Sequence, residues 1–343
     1  MKVCILGPVT TNRYWGGVAS FDEGLAEAIL QKGHDVTVIS TQRGETPLKS
    51  SVPIELAKGS GVLKVIKKIE PDVVIASLNY GRYFRGITDS KKIYFLHGFF
   101  NIASYGVVKT LLAVCYQKWM CSLADEVVAN SYFTSALNKK FWNIESDKVA
   151  WLGADNEYIS CVRKNSIIKN AENGKVLFAG RLVKGKGVDT IINAFSHLEN
   201  SEGKYTLVIA GDGPLKPELE KLAASKGVKV EFLGKVDHSE MYKKYSDAEI
   251  FISLNETEPF GITYVESLLS GCKIVCPKTG GQVEFLCDYP NRVRFVDIRD
   301  ESAISRALNK LFNTRVETLR SDEVADKFNY LKTVDNLELG ERE

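Results

Sequence analysis

A chain of 343 residues exceeds one compact core and suits two domains of roughly 150 residues each. With 44% hydrophobic and 26% charged residues, and no low-complexity tract or internal repeat, it is neither disordered nor a repeat array. The net charge of +2 conceals 20 Lys and Arg against 15 Asp and Glu in residues 1–165, and 25 against 28 in residues 166–343. The mildly basic first half suits an anionic acceptor or a membrane surface, and equally an ordinary solvated surface, and no nucleic-acid partner is expected.

The chain opens on the apolar run Val3-Cys4-Ile5-Leu6, a strand pattern with no signal peptide ahead of it. A loop at 8–17 follows, then Val18, Phe21, Leu25 and Ile29 at spacings that share one helix face. Gly33 stops that helix, and Val36-Thr37-Val38-Ile39 returns as a strand. Further short apolar strands are predicted at 73–76, 92–96 and 126–129. The stretch 102–121 is apolar but broken by Lys109 and Lys118. It is too interrupted to span a membrane, and reads either as a core helix or as a patch lying against one.

Residues 156–173 are polar and irregular, and the interdomain linker is placed there. The pattern then restarts with strands at 175–179, 205–210, 228–232, 250–254 and 273–276, alternating with helices at 188–198, 216–226, 239–245 and 262–270. A last unit lies near 294–296. Alternation of this kind predicts an α/β fold of two doubly wound, Rossmann-like domains facing each other across a cleft. The domains are residues 1–160, for the acceptor side, and 174–320, for the donor side.

Seven cysteines without a Cys-x-x-Cys pair, and histidines 34, 97, 197 and 238 apart from zinc spacings, imply reduced thiols, a cytoplasmic protein and no metal site.

Ligands in such folds lie beyond the carboxyl ends of strands. After the strand at 175–179 comes Gly180-Arg181-Leu182-Val183-Lys184-Gly185-Lys186-Gly187. Its glycines let backbone amides approach a ligand, and Arg181 and Lys186 can meet a diphosphate. A basic loop alone is ordinary surface charge; its position between strand and helix favours the anion. Ala210-Gly211-Asp212-Gly213-Pro214 reads as a tight turn with glycines at positive φ. Leu233-Gly234-Lys235-Val236 offers exposed backbone that could bond a nucleobase edge.

The sharpest feature is Glu258-Pro259-Phe260-Gly261-Ile262-Thr263-Tyr264-Val265-Glu266. Pro259 and Gly261 shape a turn that opens a helix and presents free amides to an anion. Glu266 sits inside the helix among apolar neighbours, where a carboxylate needs partners such as sugar hydroxyls. Lys278-Thr279-Gly280-Gly281 forms another glycine-rich loop at the same sheet end.

These segments resemble the retaining GT-B glycosyltransferases of family 4 (glycosyl transferases group 1). Gly16-Gly17, His97-Gly98 and Asn130-Ser131 extend the resemblance into the first domain. Residues 321–343 resemble the family's closing helix, returning to the first domain. The resemblance implies that Arg181 and Lys186 hold the donor diphosphate, that Glu266 binds ribose and that Glu258 binds the transferred sugar. It implies backbone contacts from Phe260, Gly261, Ile262 and Val236, an approach of Gly17 to the diphosphate, and His97 near the reacting sugar. No metal or other cofactor is expected, since no Asp-x-Asp lies in a suitable loop and the basic pair can carry the leaving group's charge.

The implied reaction is retaining transfer of a hexose-type sugar from a nucleotide diphosphate sugar. UDP-linked donors are favoured over GDP-linked ones, and a glycan, glycolipid or lipid-linked molecule is the acceptor, in cell-surface polysaccharide biosynthesis. Peripheral association with the inner face of the cell membrane, through 102–121, goes with such an acceptor. The alternatives are a sugar-nucleotide epimerase of related architecture and an inactive sugar-nucleotide-binding partner. The acceptor loops are placed at 10–15, 78–85 and 99–105, where Tyr14, Trp15, Tyr80, Tyr83, Phe84, Phe99 and Phe100 could stack on a sugar or simply pack.

Overall fold

The computed structural model describes residues 1–11, 16–42, 47, 51–164, 167–168, 171–198 and 204–339; Tyr14 and Trp15 lie outside them. The chain divides into two units. One is Met1–Asn156 together with the segment from Phe328 onward, and the other is Glu157–Lys327.

The first unit is built on β1 (Lys2–Leu6), β2 (Asp35–Ser40), β3 (Ile54–Leu56), β4 (Val73–Ser77), β5 (Lys91–Leu96), β6 (Glu126–Ala129) and β7 (Lys148–Val149). They form a wholly parallel sheet in the order β3-β2-β1-β4-β5-β6-β7. Ile5 pairs with Val38 on one side and Ile75 on the other. Successive residues face opposite ways along a strand. Val3, Ile5, Val38, Ile75 and Phe95 therefore pack with Phe21, Leu25 and Ile29 of the helix Gly17–Gln31. Cys4, Leu6, Ile39, Val74 and Tyr94 pack with Val62, Ile66 and Tyr80 beneath the other face. Both faces are covered, which is why these strands read as unbroken apolar runs.

The closing helix Tyr330–Leu337 belongs to this first sheet. Asn329 caps it by accepting from Lys332 N at 2.9 Å, and Thr333 Oγ1 donates to the Trp151 carbonyl at 2.7 Å. The Tyr330 ring fills the space a side chain on Gly24 would need, 2.4 Å from its Cβ position. Residues 321–327, which the sequence reading grouped with this helix, stay with the second unit, and the crossing falls at Phe328.

The second unit holds a short antiparallel ribbon of β8 (Ile167–Ile168) and a final strand, Leu319–Arg320. Its main sheet uses β9 (Lys175–Ala179), β10 (Thr206–Ala210), β11 (Val230–Gly234), β12 (Ile250–Ile252), β13 (Lys273–Pro277) and β14 (Val293–Val296). The order is β11-β10-β9-β12-β13-β14, again all parallel. This is the doubly wound Rossmann arrangement, with its reversal between β9 and β12.

Three expectations change. The stretch 156–173 is not structureless: it contains the helix Asn156–Arg163, with Tyr158, Ile159 and Val162 buried. The stretch 102–121 is not a core helix. It forms Ile102–Tyr105 and Val107–Ser122, separated by Gly106 at φ 76°, and buries Thr110, Val114, Gln117 and Met120 while exposing Val108 (71%), Leu112 (67%), Leu111 and Trp119. Tyr80, Tyr83 and Phe84 are core residues and are not free to stack on a sugar. No helix among the described residues is long and apolar enough to cross a membrane.

Candidate active site

The loops leaving β9 and β12 meet at the reversal point of the second sheet. Lys186 Nζ, on the first loop, lies 3.1 Å from Glu258 Oε2 on the second. Asn255 Nδ2 donates to the same oxygen at 2.8 Å, while Asn255 Oδ1 accepts from Thr257 N at 3.2 Å and Oγ1 at 3.1 Å. Local turn chemistry thus aims the Glu258 carboxylate. The paired side chains keep 28% and 21% of their surface in water. A pair so accessible stabilises the fold by about 1 kcal/mol or less, so the ammonium can turn to a stronger anion at small cost. Arg181 is exposed, and among the described residues its guanidinium has no ion pair or hydrogen bond.

Two glycines are required here by conformation. Gly187 opens the helix Val188–Ser196 at φ 68°, with Leu254 Cβ 2.8 Å from where its own Cβ would stand. Gly261 opens the helix Ile262–Leu269 at φ 92°, and a Cβ there would come within 2.5 Å of the Tyr264 ring. The amides at the start of that helix, including Ile262, have no acceptor one turn back. Phe260 contributes only backbone, since its ring is buried 5.2 Å from that of Phe285. The loop at 278–282 braces this turn: Gly281 N donates to the Glu258 carbonyl at 2.9 Å. The Gly211 and Gly213 turn is explained by close approach and not by positive φ at both. A Cβ on Gly211 would lie 1.8 Å from the Gly180 carbonyl oxygen, and one on Gly213 2.4 Å from that of Leu182.

Glu266 is 5% exposed, and its Oε1 lies 3.1 Å from His238 Nε2. His238 begins the helix His238–Ser246, just past the half-buried Val236. In the sequence this histidine stands out only as lying apart from zinc spacings; its place at a helix start two residues past Val236 is the signal that marks it for the site. Behind Glu266, Tyr158 OH donates to its main-chain carbonyl at 2.8 Å. Burial first, and the Glu266 carboxylate second, push the Tyr245 hydroxyl far above its usual range, so it stays protonated.

In the first unit, His97 follows β5 and Gly17 follows the loop after β1. Gly17 is exposed and a Cβ on it would meet nothing within 4 Å. His97 stacks on Phe95 at 5.1 Å and meets the edge of Phe21 at 4.7 Å. Burial lowers its pKa to about 3, which keeps the imidazole neutral at physiological pH. Asn130 Nδ2 donates to its carbonyl at 3.1 Å and Asn138 Nδ2 to that of Gly98 at 3.0 Å. Ser131 caps the helix Tyr132–Trp142 by accepting from Thr134 N at 2.9 Å. The described residues contain no group of three or more His, Cys, Asp or Glu placed to hold a metal ion.

Residues 163–328 match the family model described as Glycosyl transferases group 1. Those residues, nearly the whole second unit, belong to that glycosyltransferase family. Alpha-monoglucosyldiacylglycerol synthase of Acholeplasma laidlawii is 24% identical over 307 residues, which is 76% of each chain. Sucrose-phosphate synthase of Thermosynechococcus elongatus superposes with a TM-score of 0.75 at 16% identity, over 98% of both chains. Anabaena HepE, solved in complex with UDP and glucose, gives 0.67 at 17% identity over 98% of both.

Proposed function

We propose that this protein is a retaining transferase that moves a hexose-type sugar from a UDP-linked donor to a glycan, glycolipid or lipid-linked acceptor in cell-surface polysaccharide biosynthesis. The observation that carries the reading is the cationic pair at the β9–β12 reversal: Arg181 unpaired among the described residues, and Lys186 held by an accessible carboxylate. Departure of a nucleoside diphosphate builds negative charge. Preorganised cations and the amides opening at Gly261 stabilise that charge without a metal. Glu258 then binds the sugar hydroxyls and Glu266 the ribose, with Val236 at the base. His97 contacts the sugar, and Gly17, open to close approach, meets the diphosphate. The leaving phosphate takes the acceptor's proton as the new bond forms on the same face. UDP is preferred to GDP because a relative in fold was solved with UDP and glucose. The glycolipid acceptor is supported by the name of the Acholeplasma relative.

Titrating UDP, GDP and their sugars against thermal unfolding tests the donor. Ligand at about a hundred times its Kd stabilises by about 2.7 kcal/mol, a rise of several degrees. Indifference to every nucleotide would remove the reading.

The same proposal places the protein peripherally on the inner face of the membrane. Its support is the apolar face of Val107–Ser122, where exposed Val108, Leu111 and Leu112 alternate with exposed Lys109 and Lys118, the composition that lies at an anionic lipid interface. Substituting Leu111→Glu and Leu112→Glu together is expected to weaken co-sedimentation with anionic phospholipid vesicles at least about tenfold, since each buried leucine is worth about 1.5–3 kcal/mol. Equal binding by the double variant removes this surface from consideration.

A further inference from the structure

Beneath His97 the first unit buries a carboxyl group with no basic group beside it among the described residues. Asp22, on the helix Gly17–Gln31, is fully buried. Ser77 Oγ, at the end of β4 and equally buried, lies 2.6 Å from Asp22 Oδ1 and 2.9 Å from His97 Nε2. Among the described residues Asp22 Oδ2 has no hydrogen-bond partner, and it fills the place of a Gly7 side chain, 1.9 Å from its Cβ position. Leu78, directly after Ser77, is held at φ 52°, a left-handed conformation that is costly for a branched residue. Its carbonyl accepts from Tyr94 OH at 2.7 Å. Strain of this kind at the end of a strand marks a position the surrounding structure has fixed, and the side chain it fixes here is Ser77.

We propose that Asp22 and Ser77 are positioning residues that hold His97 as its Nδ1–H tautomer, giving the imidazole a permanent outward hydrogen-bond donor. A carboxylate enclosed with a single hydrogen bond is strongly disfavoured against the neutral acid. Burial pushes the Asp22 carboxyl well above its usual range, outweighing the opposing effect of the Ser77 hydrogen bond, and the neighbouring Glu23 adds to the rise. A proton on Oδ2 would lack an acceptor; on Oδ1 it donates to Ser77 Oγ. The Ser77 hydroxyl must then donate onward to Nε2, and the ring's one proton sits on Nδ1. Among the described residues Nδ1 has no hydrogen-bond partner, and the ring is only half-buried, which leaves this nitrogen available to a ligand. The value of that donor rests on the sugar contact proposed for His97, but the tautomer itself is measurable without substrate.

Nitrogen–proton correlation spectra of the full-length protein, isotopically labelled at histidine, provide the test. The expected result is a protonated Nδ1 and an unprotonated Nε2 for His97, unchanged from about pH 5 to 8. An Nε2–H tautomer, or titration inside that range, overturns the proposal. Asp22→Asn, whose amide donates to Ser77 as the acid does, is expected to keep the tautomer, and Ser77→Ala to lose it and lower kcat/KM on the order of tenfold. A tautomer unmoved by Ser77→Ala also overturns it.

Stability gives an independent readout. A carboxyl held neutral by folding contributes fully below its unfolded pKa of about 3.9, and that contribution drains away as pH rises toward its folded value. The Asp22→Asn variant should therefore melt progressively higher than wild type as pH climbs above about 4, and an equal gap at every pH counts against a neutral Asp22. A wild-type protein with the Nδ1–H tautomer but no transferase activity would count against the function and leave this hydrogen-bond chain standing.

Discussion

Arg181→Ala is expected to lower kcat/KM about a thousandfold, with folding unchanged. Removing a single preorganised donor from a site of developing negative charge costs on the order of a hundred- to a thousandfold, and a full guanidinium facing a diphosphate belongs at the upper end. The fold should not respond, because Arg181 is exposed and unpaired among the described residues. Lys186→Ala is expected to do more harm. It removes a cation and leaves the Glu258 carboxylate with Asn255 as its remaining hydrogen-bond donor among the described residues, so at the proposed donor site an uncompensated carboxylate would face the departing diphosphate. Loss of the ion pair costs the fold about 1 kcal/mol or less. Initial rates with a UDP-sugar donor, read beside unfolding midpoints, separate the two effects. Wild-type-like turnover by either variant would remove the diphosphate role assigned to this loop.

Much of the parallel architecture is visible in local pattern because every buried strand must be apolar on both faces. Val3 to Leu6 and Lys175 to Ala179 announce themselves in this way. The helix Asn156–Arg163 does not: its buried residues are only Tyr158, Ile159 and Val162, set among Asn156, Glu157, Ser160 and Arg163. Three buried positions in eight residues make no clear period, and what holds them is tertiary, including the Tyr158 hydroxyl's bond to the Glu266 carbonyl. The helix Val107–Ser122 misleads in the opposite direction, since most of its large apolar residues face out while Thr110 and Gln117 are buried beside Val114 and Met120.

The loop carrying Arg181 and Lys186 and the turn from Glu258 to Glu266 are legible because their chemistry is contiguous in sequence. The partners of these residues are not. His238 stands 28 positions before Glu266, and Asp22, Ser77 and His97 come from three separate elements that only the sheet order β1-β4-β5 brings together. A hydrogen-bonded chain of that kind leaves no spacing to read.

The largest effect on stability is expected from Lys273→Met. Lys273 is 2% exposed at the start of β13, with Nζ 3.1 Å from Glu249 Oε1 and 2.8 Å from the Leu311 carbonyl at the end of the helix Glu301–Phe312. Glu249 Oε2 accepts from Gly174 N at 2.8 Å, just ahead of β9. One buried pair therefore ties together the starts of β9, β12 and β13 and the helix that packs on them. Methionine matches the length of the lysine stem but leaves the Glu249 carboxylate enclosed without its cation. Breaking a buried pair on one side costs about 3–5 kcal/mol, which lowers the melting temperature by about ten degrees for a unit of this size. Adding Glu249→Gln to Lys273→Met should return part of that loss. The amide carries no charge to desolvate and can still accept from Gly174, so the two substitutions should couple by about 1–3 kcal/mol. Urea unfolding of the two single variants and the double variant decides the matter. A Lys273→Met protein within about 1 kcal/mol of wild type would show that the pair contributes register and not stability.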